Sequence, residues 1–190
     1  MLNRRDAIRG LALTIGAASA GLAGPVVAAA PPPPLTWTPT ALTSDQARLV
    51  DVVAELIMPA TDTPGARQAG VPQFIDRALA DYCDKAQADL LRTGLDRMDA
   101  DARAAHGDVF VALTPQQQVE LLTGYDREAS TIRNQTPAQS HFFPALEDLV
   151  TIGYFTSEPG ATVALRYDPV PGEYHGCVPL SELGRAWATR

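Results

Sequence analysis

The sequence predicts an all-α fold: a compact bundle of about four or five helices carrying an extended, irregular, proline-rich C-terminal arm. Three observations predict it. Apolar residues recur at helical spacing in several separate stretches between residues 44 and 156. Helix-start signals stand before those stretches. Pro31 to Pro34 mark an extended linker, and Pro159, Pro169, Pro171 and Pro179 leave little room for long regular elements in the last 35 residues.

The first helix is announced by Thr43-Ser44-Asp45-Gln46, a capping-box pattern in which Gln46 follows Thr43 by three residues. Leu49, Val50, Val53, Leu56 and Ile57 then form one apolar face, and Pro59 stops the helix. Thr61 to Gly65 reads as a loop. A second helix starts at Val71-Pro72, with proline at a tolerated first-turn position. Its stripe of Ile75, Leu79, Tyr82, Cys83, Ala86 and Leu90 continues through Leu91, Leu95 and Met98, with Gly94 as a bend and Gly107 past the end. A third helix starts at Thr114-Pro115-Gln116-Gln117 and carries Val119, Leu121 and Leu122. A fourth runs from Pro144, or a turn earlier, through Leu146, Leu149, Val150 and Ile152. Beyond it the prolines and glycines leave room for one short helix over Ala161 to Arg166.

The N-terminal 29 residues read as a twin-arginine export signal. Arg4 and Arg5 precede a weakly apolar, Ala- and Gly-rich run, and no charge follows Arg9 until Asp45. The usual pattern has Ser or Thr before the arginines and Phe two residues after them; Asn3 and Ala7 stand there instead. Small residues around Val27-Ala28-Ala29 offer a cleavage site, and retention as an N-terminal anchor is the alternative. Residues 30–43, with Pro31 to Pro34, form a polyproline-type linker in which Trp37 would gain by packing on this domain or on a partner. Residues 44–190 form the helical domain, with the arm beginning at about 156. The expected compartment is the bacterial periplasm.

Composition excludes several functions. A hydrophobic share of 46% supports a packed core, and aromatics at 6% make that core aliphatic. Fifteen basic against twenty-two acidic residues give a net charge of −7, which argues against nucleic-acid binding. No dinucleotide-binding turn, P-loop, haem-attachment, zinc-protease or serine-hydrolase motif occurs. Lys85 is the one lysine. His106, His141 and His175 lie in different segments, and Asp96, Asp99, Asp101 and Asp108 read as a solvated helical face. Catalytic, cofactor and metal residues are therefore expected to be absent from this chain.

Two cysteines would enter an oxidising space after export. A Cys83–Cys177 bridge would close about 94 residues and contribute about 4–5 kcal/mol on a chain-entropy model. The alternatives are a bridge from Cys177 to another chain, with Cys83 a buried hydrophobe, or two free thiols.

Four segments in order resemble the gluconate 2-dehydrogenase subunit 3 family: Ala54-Glu55-Leu56-Ile57-Met58-Pro59-Ala60-Thr61-Asp62-Thr63-Pro64-Gly65-Ala66, Ala69 to Asp76, Gly153 to Ala161, and Tyr167 to Pro179. The first and third are the most specific. The resemblance implies the non-catalytic small, or gamma, subunit of a membrane-bound flavin-dependent sugar dehydrogenase. It implies that FAD sits on a separate glucose–methanol–choline-type catalytic subunit, and c-type haem on a multihaem cytochrome c subunit. It also implies that the small subunit binds the flavoprotein and supplies its export signal, and that the membrane is reached through the partners. On that reading Tyr154, Phe155, Glu158, Tyr167, Pro171, Tyr174 and Cys177 are expected at the partner interface, since aromatic residues bury much area at low rotamer cost. The alternative is a free-standing periplasmic helical binding protein.

Overall fold

The computed structural model describes residues 35–135, 140–170, 172–173 and 177–188. The export signal with Arg4 and Arg5, the proline run 31–34, and Pro171, Tyr174 and His175 lie outside the described residues.

Helix α1 (Ser44–Ile57) begins as its sequence dictates. The Thr43 hydroxyl accepts from Gln46 N at 3.2 Å while the Gln46 side chain accepts from Thr43 N at 3.1 Å. Its face of Leu49, Val50, Val53 and Ala54 is fully buried. Helix α2 (Val71–Asp81) and helix α3 (Lys85–His106) correct the expectation of one long second helix. The expected stripe does not run on across the break: Tyr82 and Ala86 are exposed, Asp84 and Gln87 form a second capping box and start a new helix, and burial resumes at Ala88, Leu91 and Leu95. Tyr82 is left 82% exposed at the turn, and Cys83 sits in that turn, half-buried against the core, rather than on a helix face. Helix α3 runs through Gly94 without interruption.

A 3-10 turn (Phe110–Ala112) buries Phe110, and the Gln118 side chain donates to the Phe110 carbonyl at 3.0 Å. Helix α4 (Pro115–Gln135) follows, then α5 (Phe142–Thr156). Helix α5 is apolar on most of its circumference, and it packs against α1, α2, α3 and α4, so it is the hub of the bundle. A π-helical turn (Gly160–Ala164) replaces the short helix expected over 161–166. The arm also contains a four-residue helix α6 (Leu180–Leu183) that periodicity did not indicate. Among the described residues there is no β-strand, only one parallel bridge between Arg166 and Trp187.

The acidic residues of α3 are not simply solvated. Asp96 accepts from Gln46 of α1 at 2.8 Å, Asp99 from Phe110 N at 3.0 Å and Asp101 from the Tyr125 hydroxyl of α4 at 2.8 Å. Each ties α3 to a different neighbour. Arg97 extends the strut with a bidentate pair to Glu128 at 2.9 and 2.7 Å.

The end of the linker is docked rather than free. The buried Asp76 carboxylate accepts four hydrogen bonds, from Thr40 N, Thr40 Oγ1, Ala41 N and Leu42 N, all at 2.8–2.9 Å. Arg92 donates to the Ala41 carbonyl at 3.1 Å, and Leu35 and Trp37 pack onto the core. Trp37 is therefore engaged by this domain.

Candidate partner-binding site

The connection from α1 to α2 is long for two helices that pack on each other: 13 residues, Met58 to Gly70. Helix–helix connections in bundles run about 2–8 residues. Its shape is fixed from both sides. Glu55, on the last turn of α1, accepts from Ala60 N at 3.1 Å and from Arg67 N at 2.9 Å. Ala66 N donates to the Met58 carbonyl at 2.8 Å, and Thr61 N to the Thr63 carbonyl at 3.0 Å. Gly65 lies so close to the Glu55 carboxylate that a Cβ there would stand 2.3 Å from Oε1. Arg67 Nε spans both oxygens of Asp51, at 3.0 and 2.8 Å. Burial pushes the Asp51 carboxyl above its usual range by more than Arg67 draws it down.

The far clamp comes from α5. Tyr154, only 5% exposed, donates its hydroxyl to the Pro64 carbonyl at 2.8 Å and lies 3.2 Å from Thr63 Oγ1. Below it, the Ser157 hydroxyl donates to the Tyr154 carbonyl at 2.6 Å and accepts from Gly160 N at 3.1 Å, which sets the start of the arm. The loop tip, Pro59 to Asp62, remains exposed.

The residues expected at an interface thus separate. Tyr154 is a core residue that holds the loop and has no face left for a partner. Phe155 is half-buried, edge-on to Tyr154 with ring centroids 5.2 Å apart. Glu158 is exposed, as are Tyr167 (49%) and Val170 (80%) on the arm. Cys177 is exposed and Cys83 half-buried, and both thiols are free. The arm turns back on itself: Arg166 N donates to Ala186 O at 2.8 Å, Ala188 N to Arg166 O at 2.9 Å, and Arg185 reaches the Val163 carbonyl. The Arg166 guanidinium covers the Trp187 ring at 4.3 Å.

Sequence reasoning missed Glu55 and Asp76 as anchoring groups. Both lie in the segments quoted for the resemblance, but no spacing rule marks a carboxylate whose partners are backbone amides of a loop. Among the described residues no cluster of three or more His, Cys, Asp or Glu side chains is placed to hold a metal ion, and no helix is long and apolar enough to cross a membrane. Two open grooves run between helices, the first lined mainly by polar groups and the second mainly by apolar ones. One of about 240 Å³ lies between α1 and α3, lined by Asp45, Asp96, Asp99 and Arg103. Another, of about 520 Å³, lies between α3 and α4 over Arg97, Tyr125 and Glu128. In the second, burial and the Asp101 carboxylate push the Tyr125 hydroxyl far up, so it remains a donor within the strut.

No curated protein and no solved structure matches the chain. A family does. Residues 44–172, which hold α1, the clamped loop, the hub helix and the root of the arm, match the family described as gluconate 2-dehydrogenase subunit 3. Over two thirds of its length, and through the same segments that converge on Tyr154 and Glu55, the chain belongs to the gluconate 2-dehydrogenase subunit 3 family.

Proposed function

We propose that this chain is the non-catalytic small subunit of a periplasmic FAD-dependent sugar or polyol dehydrogenase. It binds and stabilises a glucose–methanol–choline-type flavoprotein and carries it through the twin-arginine route. A multihaem cytochrome c subunit completes the complex and holds it at the inner membrane. The family match carries this reading. The paired arginines Arg4 and Arg5 ahead of an uncharged run support the export role.

The test is purification of the tagged, full-length chain from cells that express the flavoprotein with it. A larger, flavin-absorbing partner in stoichiometric amount is the expected result, and a chain recovered alone and colourless overturns the reading. Loss of that partner on adding reductant would identify Cys177 as a covalent tether. Arg4→Lys with Arg5→Lys should leave both subunits in the cytoplasm. Flavoprotein reaching the periplasm beside that variant would defeat the co-export role.

A further inference from the structure

We propose that the groove between α3 and α4 receives this chain's own N-terminal leader before export, with Gly10 to Ala17 in the slot and Arg5 and Arg9 beside its carboxylates. The inference rests on the export-signal reading above and gives the leader a resting place on the folded domain.

The groove exists because α3 and α4 each pack on α5 but scarcely on each other. They are joined instead by the Arg97–Glu128 pair and the Tyr125–Asp101 bond. The opening of about 520 Å³ has Ala104, Ala105, Leu121 and Gly124 along it. Ala104, Ala105 and Gly124 are exposed, and a Cβ on Gly124 would meet nothing within 4 Å. From Arg97 to Ala105 the slot follows α3 for about 12 Å, the length of two helical turns. Small side chains on both walls let another segment approach closely, and a segment that is itself small fits best.

The leader has that shape and the opposite charge. Gly10-Leu11-Ala12-Leu13-Thr14-Ile15-Gly16-Ala17 is uncharged and mostly small, and Arg4, Arg5 and Arg9 stand before it against Asp6 alone. On the groove, Asp101, Glu120 and Glu128 face one cation, Arg97, which is spent on Glu128 and Asp101. Glu120 is exposed and has no partner among the described residues. A basic segment is therefore attracted and an acidic one repelled. Reach is sufficient: Leu35 packs on the core, and the 17 residues from Ala18 to Pro34 span about 50 Å at about 3.1 Å each, against about 10–12 Å for the width of one helix. The flavoprotein and a second copy of this chain are the competing occupants.

Digestion of the purified full-length chain by elastase, which cuts after small residues, separates them. Cleavage after Ala12 and Ala17 should be slow in the wild type, and cleavage after Ala28 and Ala29, beyond the slot, is the internal reference. Gly124→Arg fills the slot and sits four residues from both Glu120 and Glu128, so its thermal midpoint should not fall. It should speed cleavage after Ala12 and Ala17 at least about tenfold relative to the reference. Glu120→Arg should speed it less, and adding Arg5→Glu with Arg9→Glu to Glu120→Arg should restore protection. Equal relative rates in the wild type and Gly124→Arg overturn the docking while leaving the export reading intact. Protection that weakens on dilution assigns the groove to a second copy and also overturns it. Flavoprotein exported beside the twin-arginine variant removes the export reading itself, and the proposal with it.

Discussion

The hydroxyl of Tyr154 donates a 2.8 Å hydrogen bond to the carbonyl of Pro64, 90 residues earlier in the chain, and so joins the hub helix to the α1–α2 loop. Tyr154→Phe keeps the ring and its edge-on contact with Phe155 but leaves that carbonyl without its donor. The expected cost is about 1–2 kcal/mol, or about 3–6 °C in thermal midpoint for a domain of this size. The loss is local, so limited proteolysis should show faster cutting between Pro59 and Arg67 than elsewhere. An unchanged cleavage pattern would mean that Glu55 holds the loop without help.

Asp76 carries a comparable burden at the linker. Burial alone would push its carboxyl up, but the hydrogen bonds from Thr40, Leu42 and Ala41 together outweigh that and hold it below the usual range. A lowered folded-state value means the stabilisation is present above the unfolded value, about 3.9, and is lost as pH falls through the folded one. Asp76→Asn replaces one twice-used acceptor oxygen by an amide donor facing donors. We expect a loss of about 2–3 kcal/mol at pH 7. The variant should also show a flatter loss of stability than the wild type below about pH 4. Equal slopes of thermal midpoint against pH in that range would contradict the assignment.

Much of this architecture is legible in the sequence, for reasons that particular residues make plain. Thr43 and Gln46 specify a helix start through contacts three residues apart, and Pro59 specifies a stop on its own. The break at Tyr82–Asp84 was not legible from the stripe, because Tyr82, Cys83 and Ala86 continue the apolar spacing of Ile75 and Leu79 in the sequence although Tyr82 and Ala86 are exposed in the fold. The second Asp84–Gln87 box was the available signal. The candidate site was legible only as a resemblance. Glu55 reaches amides 5 and 12 residues away and Tyr154 a carbonyl 90 away, and neither separation belongs to a local rule. Tyr154 and Phe155 look alike as exposed aromatics in sequence, yet the turn of α5 sends the first into the core.

His141 should make stability fall on mild acidification. It caps α5 by accepting from Phe143 N through Nδ1 at 3.2 Å, so the ring's proton lies on the buried Nε2. The charged groups that face it are Glu128 of α4, 3.6 Å from Nε2, and Arg97 of α3 behind Glu128. Burial holds its pKa below the usual value; Glu128 pulls it up and Arg97 pushes it down. The folded chain therefore binds fewer protons than the unfolded one, and stability is lost as pH falls below about 6.5. Protonating Nδ1 also ends the cap. His141→Asn supplies a good cap with no titration. Between pH 8 and 5 its thermal midpoint should vary less than that of the wild type, and parallel curves would exclude the histidine as the cause.

Gly94 sets how closely α3 and α5 approach. A Cβ built there would lie 2.1 Å from Phe142 Cγ and 2.6 Å from Phe142 Cβ. Those atoms are the root of a side chain that is itself buried between α3 and the Tyr125 ring, with centroids 5.3 Å apart, so rotation cannot relieve the overlap. Two effects oppose each other in Gly94→Ala. Helix propensity favours alanine by about 1 kcal/mol. Separating two packed helices costs about 1–3 kcal/mol and loosens the hub helix along its length. The overlap is deep enough that the second should win, giving net destabilisation. Phe142→Ala tests the cause, since it opens the space that the new methyl needs except at Phe142 Cβ itself. The double variant should therefore lose at least about 1 kcal/mol less than the two single losses added together. Additive losses would place the cost of alanine elsewhere than on Phe142.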